Sequence, residues 1–116
     1  MVFVTGTRLA SLPETIGRLV ELRELSLNNV PLASLPASIG HLKNLETLDL
    51  IRTRLTSLPD SIGSLVKLKE LDLQETKITS LSKSIHKLKN LQYLDLSPSQ
   101  REQLSPYIKG LPVHWH

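Results

Sequence analysis

The chain has 116 residues, room for one compact domain and too few for two. It contains no cysteine, which excludes disulfides, a thiolate metal site and cysteine nucleophile chemistry. A formal net charge of +3 invites a nucleic-acid or membrane reading, which the placement of the charges must decide.

The opening segment VFVTGT aligns with the strand half of a unit that recurs later (compare LDLIRT at 48–53), so residues 1–7 read as a partial first repeat. The chain thus opens in mid-unit, as a piece of a longer protein would, or as one whose first strand is covered by something else. The start lacks a basic n-region, and its apolar run is too short for a signal peptide or a spanning helix. Together with the missing cysteines this sets a cytoplasmic location as the expectation.

Residues 8–99 divide into four 23-residue units without insertion. LASLPETIG (9–17) recurs as LASLPASIG (32–40), LTSLPDSIG (55–63) and ITSLSKSIH (78–86), and LRELSL, LETLDL, LKELDL and LQYLDL follow at 22, 45, 68 and 91. Seven columns, beginning at Leu9, Leu12, Ile16, Leu19, Leu22, Leu25 and Leu27, hold only Leu or Ile in all four units. One unit cannot bury such an edge alone, so neighbours must stack. The L-x-L pairs alternate with polar residues, the period of a half-buried strand, and successive coils make those strands parallel. P-x-x-I-G-x-L reads as a short helical turn, with Pro13, Pro36 and Pro59 in its first turn and Gly17, Gly40 and Gly63 at a left-handed end. Ser82 and His86 break this pattern, which predicts a looser fourth turn. Residues 100–116 leave the period and read as a C-terminal cap: Ser99 and Glu102 suit a capping box, and Leu104, Tyr107, Ile108, Leu111 and Trp115 are placed to cover the last unit. The final HWH reads as a frayed end.

These units resemble the leucine-rich repeats of the 23-residue LPxxIGxLxxLxxLxL class, including those of intracellular scaffolds and bacterial effectors. The resemblance implies an α/β, right-handed leucine-rich repeat solenoid with a parallel β-sheet on the concave face and short helical turns on the convex face. The asparagine usual after the strand is replaced by Val30, Thr53, Thr76 and Ser99, so an asparagine ladder is not expected. Protein–protein recognition is the implied activity, in an adaptor, inhibitor or effector role; an effector would act in the cytosol of a host. The alternative is a recognition or regulatory fragment of a larger multidomain enzyme or receptor.

Strand residues that do not enter the core project onto the concave face. The expected protein-binding residues there are Phe3, Glu24, Ser26, Asn28, Thr47, Asp49, Ile51, Arg52, Glu70, Asp72, Gln74, Glu75, Tyr93 and Asp95. Its columns hold six acids and one base, a net of −5, while the remaining thirteen bases and five acids leave +8 elsewhere. The expected partner is therefore another protein with a basic contact surface, rather than nucleic acid, membrane or a small-molecule substrate. Asp between strand leucines is also a common filler in such repeats, and stacked Asp49, Asp72 and Asp95 would repel one another at about 4.8 Å. His41, His86, His114 and His116 assemble with no Ser and Asp into a catalytic set, and the aspartate column lacks the carbonyl ligands of a calcium loop. No enzymatic activity, cofactor or metal is expected.

Overall fold

The computed structural model describes the backbone of Val2–Phe3 and the whole of residues 10–116. The rest of the partial repeat, Leu9 and the Phe3 side chain lie outside the described residues. Six parallel strands form one sheet in chain order: β1 (Val2–Phe3), β2 (Glu24–Ser26), β3 (Thr47–Asp49), β4 (Glu70–Asp72), β5 (Tyr93–Leu96) and β6 (Val113–Trp115). From β2 to β5 the register advances by one unit per strand, so Leu25, Leu48, Leu71 and Leu94 align. All four are almost fully buried, as are Leu27, Leu50, Leu73 and Leu96.

The convex side carries 3₁₀ turns at Glu14–Arg18, Ala37–His41, Asp60–Ser64 and Lys83–Lys87. A 3₁₀ turn fits because five residues are too few for a stable α-helix, and a narrow element stacks near the strand spacing. Pro36 and its equivalents are the N-caps of these turns, not first-turn residues: each has extended backbone (Pro36 φ −69°, ψ 152°). Ser82 adopts the same conformation, and its Oγ accepts from the Ser84 N–H at 3.2 Å, so the fourth turn is as regular as the others.

The glycines correct the expectation in a different way. Gly17, Gly40 and Gly63 are not left-handed; among the described glycines only Gly110 has positive φ. They are glycine because the next coil leaves no room. A Cβ on Gly40 would lie 2.7 Å from the Ser61 carbonyl oxygen, and one on Gly63 2.6 Å from that of Ser84. His86 occupies this column where the cap follows instead of another repeat, and its Nε2 lies 3.2 Å from the carbonyl oxygen of Tyr107, in the short 3₁₀ turn Ser105–Tyr107. The left-handed positions are instead Asn29, Arg52 and Glu75 (φ 63°, 56° and 55°), just after each strand. The fourth unit has Pro98 there, which cannot adopt positive φ, and the chain turns away into the cap.

The cap starts two residues earlier than expected. Gln100 Oε1 accepts from the Ser97 N–H at 2.7 Å, in place of a Ser99–Glu102 box. Gln100 Nε2 donates to the Leu73 carbonyl at 2.8 Å and to Thr76 Oγ1 at 3.1 Å. Thr53 and Thr76 hydroxyls donate to the Leu50 and Leu73 carbonyls, while Val30 is simply buried. A short helix, α1 (Arg101–Leu104), then sends Leu104 into the core, with Ile108, Leu111, Val113 and Trp115 packed against it. The last residues are not frayed. β6 pairs with β5 in the register Leu94 to Val113, Asp95 to His114 and Leu96 to Trp115, and the His116 N–H donates to the Leu96 carbonyl at 2.8 Å.

Candidate functional site

The concave face is built from two columns of strand residues and two of the turns that follow. Glu24, Thr47, Glu70 and Tyr93 stand in register, as do Ser26, Asp49, Asp72 and Asp95. The mid-strand aspartates have local work. Asp49 Oδ1 accepts from the Ile51 N–H at 3.0 Å and its Oδ2 from the Ser26 hydroxyl at 3.1 Å. Asp72 Oδ1 accepts from the Gln74 N–H at 3.1 Å and its Oδ2 from the Gln74 amide at 3.0 Å. Each thus ties down the backbone leaving its strand, which explains why Asp suits this column without reference to any partner.

Asp95 departs from that pattern. The N–H two residues on, that of Ser97, is taken by Gln100. Asp95 Oδ1 accepts from His116 Nε2 at 2.8 Å, and its buried Oδ2 meets no N–H or hydroxyl donor, which leaves the carboxyl of Glu70 as the group that can share a proton with Asp95. Asp95 is only 4% exposed. The sequence had placed it on the open face, and its burial makes it a carboxylate beside the face rather than a contact on it.

Glu70 sits among these acids. Its carboxyl is pushed up to about 7, first by a hydrogen bond with Asp95, which requires a proton on one of the two carboxyls. Burial and the charges of Asp95, Asp72 and Asp49 add to the rise. Burial and the charges of Asp95 and Asp49 also raise Asp72, against the lowering effect of its bonds from Gln74. The net of −5 read from the sequence therefore overstates the charge near neutral pH, because it counts Glu70 as fully ionised. Arg52 is not a free base on this face: its Nε lies 2.8 Å from Glu75 Oε2, a half-exposed pair worth little energy.

Glu24, Arg52, Glu75 and Tyr93 are exposed, whereas Ser26, Asn28, Thr47, Asp49, Ile51, Glu70, Asp72 and Gln74 are half-buried. Tyr93 is 46% exposed, and its ring meets that of His114 at 4.9 Å. His114 and His116 join this end of the face through β6. Sequence reasoning missed them because Val113 follows its sheet partner Leu94 by 19 residues rather than 23, which breaks the phase. No helix among the described residues is long and apolar enough to cross a membrane.

The repeat geometry is matched by comparison with known proteins. The leucine-rich repeat region model matches residues 11–71, and the leucine rich repeat model matches residues 43–100. A leucine-rich repeat protein of Leptospira interrogans is similar at 34% identity with a TM-score of 0.74, over 93% of this chain and 30% of that one. The leucine-rich repeat ectodomain of the receptor kinase SOBIR1 from Arabidopsis thaliana gives 26% identity and a TM-score of 0.75, over 98% of this chain and 67% of that one. The leucine-rich repeat domain of the type III effector XopL gives 27% identity and a TM-score of 0.67, over 82% of this chain and 43% of that one. No match is found among curated proteins. With its coils in phase, its strands in register and the family model matched over more than half its length, the chain belongs to the leucine-rich repeat family.

Proposed function

We propose that the chain recognises another protein through its acidic concave face, without chemistry of its own, in an adaptor, inhibitor or effector role. Leucine-rich repeat domains are commonly protein-interaction modules. The observation that carries the finer reading is the lack of internal cations on this face. Among the described residues, Arg52 is bonded to Glu75, and no Lys or Arg forms an ion pair with Glu24, Asp49, Glu70 or Asp72. A basic partner surface would relieve that repulsion and would be steered toward the face. Exposed Tyr93 at one end supplies an aromatic group of the kind that anchors interfaces.

The test is capture of partners by the full chain, compared with a Glu24→Lys/Glu70→Lys variant and an outer-surface Lys87→Glu/Lys89→Glu variant. Glu24 and Glu70 are chosen because Asp49 and Asp72 hold backbone N–H groups, so altering them would perturb the fold. Loss of a partner only in the face variant supports the reading; loss only in the outer variant would transfer the site to the basic convex side. A second reading, a recognition segment within a larger receptor or enzyme, draws on the chain spanning 30% and 43% of two of its structural relatives. It predicts the same face with the chemistry residing elsewhere.

A further inference from the structure

We infer that the four stacked turns leading into β2, β3, β4 and β5 form a second docking surface, for an acidic protein segment that carries aliphatic side chains. The turns are closed by bonds from the Leu22, Leu45, Leu68 and Leu91 N–H groups to the carbonyls of Leu19, Leu42, Leu65 and Leu88, at 2.9–3.2 Å. Their tips are Val20 and Glu21, Lys43 and Asn44, Val66 and Lys67, and Lys89 and Asn90, which the 23-residue period lays side by side along one flank of the solenoid. The flank meets the concave face where Arg23 precedes Glu24 and Lys69 precedes Glu70, and the sign of the surface reverses there.

Charge marks this flank first. Residues 18–23, 41–46, 64–69 and 87–92 hold seven of the fourteen bases of the chain and only two acids, a net of +5. All seven bases are exposed. Lys69 is paired with Glu46 at 3.5 Å, and Lys67 Nζ donates to Asn44 Oδ1 at 2.8 Å. The side chains of Arg18, Arg23, Lys43, Lys87 and Lys89 have no ion pair or hydrogen bond among the described residues. Five cations without a counter-charge along one ridge attract an acidic partner and repel a basic one.

Apolar exposure separates a protein segment from a bare polyanion. Val20 and Val66, at two of the tips, are 44% and 54% exposed, and Leu19 beside them is 46% exposed. Three of the five large exposed apolar side chains among the described residues thus lie on this flank. Such groups add nothing to phosphate binding, but they gain by burial against aliphatic side chains. The flank also has no Phe, Tyr or Trp on which bases could stack. Its turns are tied coil to coil: Asn44 Nδ2 donates to the Val20 carbonyl at 2.9 Å, Lys67 reaches Asn44, and Asn90 Nδ2 donates to the Val66 carbonyl at 2.7 Å. A ridge fixed in advance loses less entropy when a partner docks. Val20 and Val66 stand two coils apart, about 10 Å at the strand spacing. A polyproline II chain returns to the same face every three residues, about 9.3 Å. An extended acidic segment with aliphatic residues three apart therefore fits. This surface and the acidic concave face take partners of opposite sign, so each stands without the other.

The test is titration calorimetry of the full chain in 150 mM sodium chloride with a ten-residue peptide, all glutamate except for leucines at its fourth and seventh positions. Saturable binding with Kd below about 100 µM is expected. Lys43→Glu/Lys89→Glu, which removes no bond within the fold, should weaken it at least tenfold, and Val66→Ser at least threefold. Replacing both leucines of the peptide by serine should weaken it at least fivefold. Glu24→Gln/Glu70→Gln should leave it within twofold, which separates this surface from the concave face. No saturable binding, binding unchanged in Lys43→Glu/Lys89→Glu, or equal binding of the serine peptide would overturn the proposal. Binding to a ten-base-pair DNA duplex or to phosphatidylserine vesicles in place of the peptide would overturn it as well.

Discussion

The Gln100 side chain donates from Nε2 to the carbonyl oxygen of Leu73, 27 residues earlier, at 2.8 Å, and so fastens the cap to the third repeat. Its other end accepts from the Ser97 N–H, and the residue is 6% exposed. Gln100→Ala would strand the buried Ser97 N–H and remove one of the two donors to the Leu73 carbonyl, which keeps the Thr76 hydroxyl. Unfilled groups of this kind cost about 1–3 kcal/mol each. We expect a loss of about 1–3 kcal/mol in urea unfolding. A loss below about 0.5 kcal/mol, the usual range for an inert surface change, would mean that the amide bridge does not hold the cap.

Gly40 should be far less tolerant than Gly110. A Cβ at Gly40 meets the Ser61 carbonyl oxygen at 2.7 Å and Ser61 Cβ at 2.8 Å, so adjacent coils must separate. Gly40→Ala is expected to destabilise by about 1–3 kcal/mol, in the range of overpacked cores. Gly110 has φ 84°, and a Cβ there would meet nothing within 4 Å. Gly110→Ala therefore carries only backbone strain of about 1 kcal/mol. Chemical denaturation of both variants would expose a reversed order.

Stability should fall as pH rises through neutrality. The folded Glu70 carboxyl is raised from 4.5 to about 7, so it holds its proton more tightly folded than unfolded. That contribution is complete below the unfolded value and is lost as pH rises through about 7. Asp72 is raised as well and acts in the same direction. Urea midpoints are expected to be higher near pH 5 than near pH 8. Glu70→Gln should flatten the slope and raise stability at the alkaline end. An unchanged slope in this variant would remove Glu70 as its source.

The C-terminal strand gives a fourth test. The His116 N–H donates to the Leu96 carbonyl at 2.8 Å, and the Arg101 guanidinium lies 4.7 Å from the centre of the Trp115 ring. Hydrogen exchange should find the His116 amide protected well above its intrinsic rate. The single tryptophan should emit as a partly shielded indole. Exchange at the intrinsic rate would restore the frayed end that the sequence suggested.

The repeat made most of the architecture legible in advance. Leu25, Leu48, Leu71 and Leu94 fall in register because a fixed 23-residue period leaves only one way to stack the coils. What the period could not reveal lies where coils touch or where repetition stops. Gly40 looks like a helix-ending glycine when one unit is read alone; its reason is the Ser61 carbonyl of the next. At the C-terminus the phase is lost, so neither Gln100 nor His116 could be placed. Those two residues decide the state of Asp95. The columns located the acids of the concave face, but burial and mutual repulsion, which set the charge of Glu70, exist only once the strands lie side by side.

The measurement closest to the main functional claim is the affinity of a partner recovered on the native chain, compared with the Glu24→Lys/Glu70→Lys variant at low and moderate salt. Recognition through the acidic concave face predicts at least a tenfold weaker Kd for the variant, about 1.4 kcal/mol, and a shallower dependence on salt. Equal affinity and an unchanged salt dependence, with both chains folded, would contradict it.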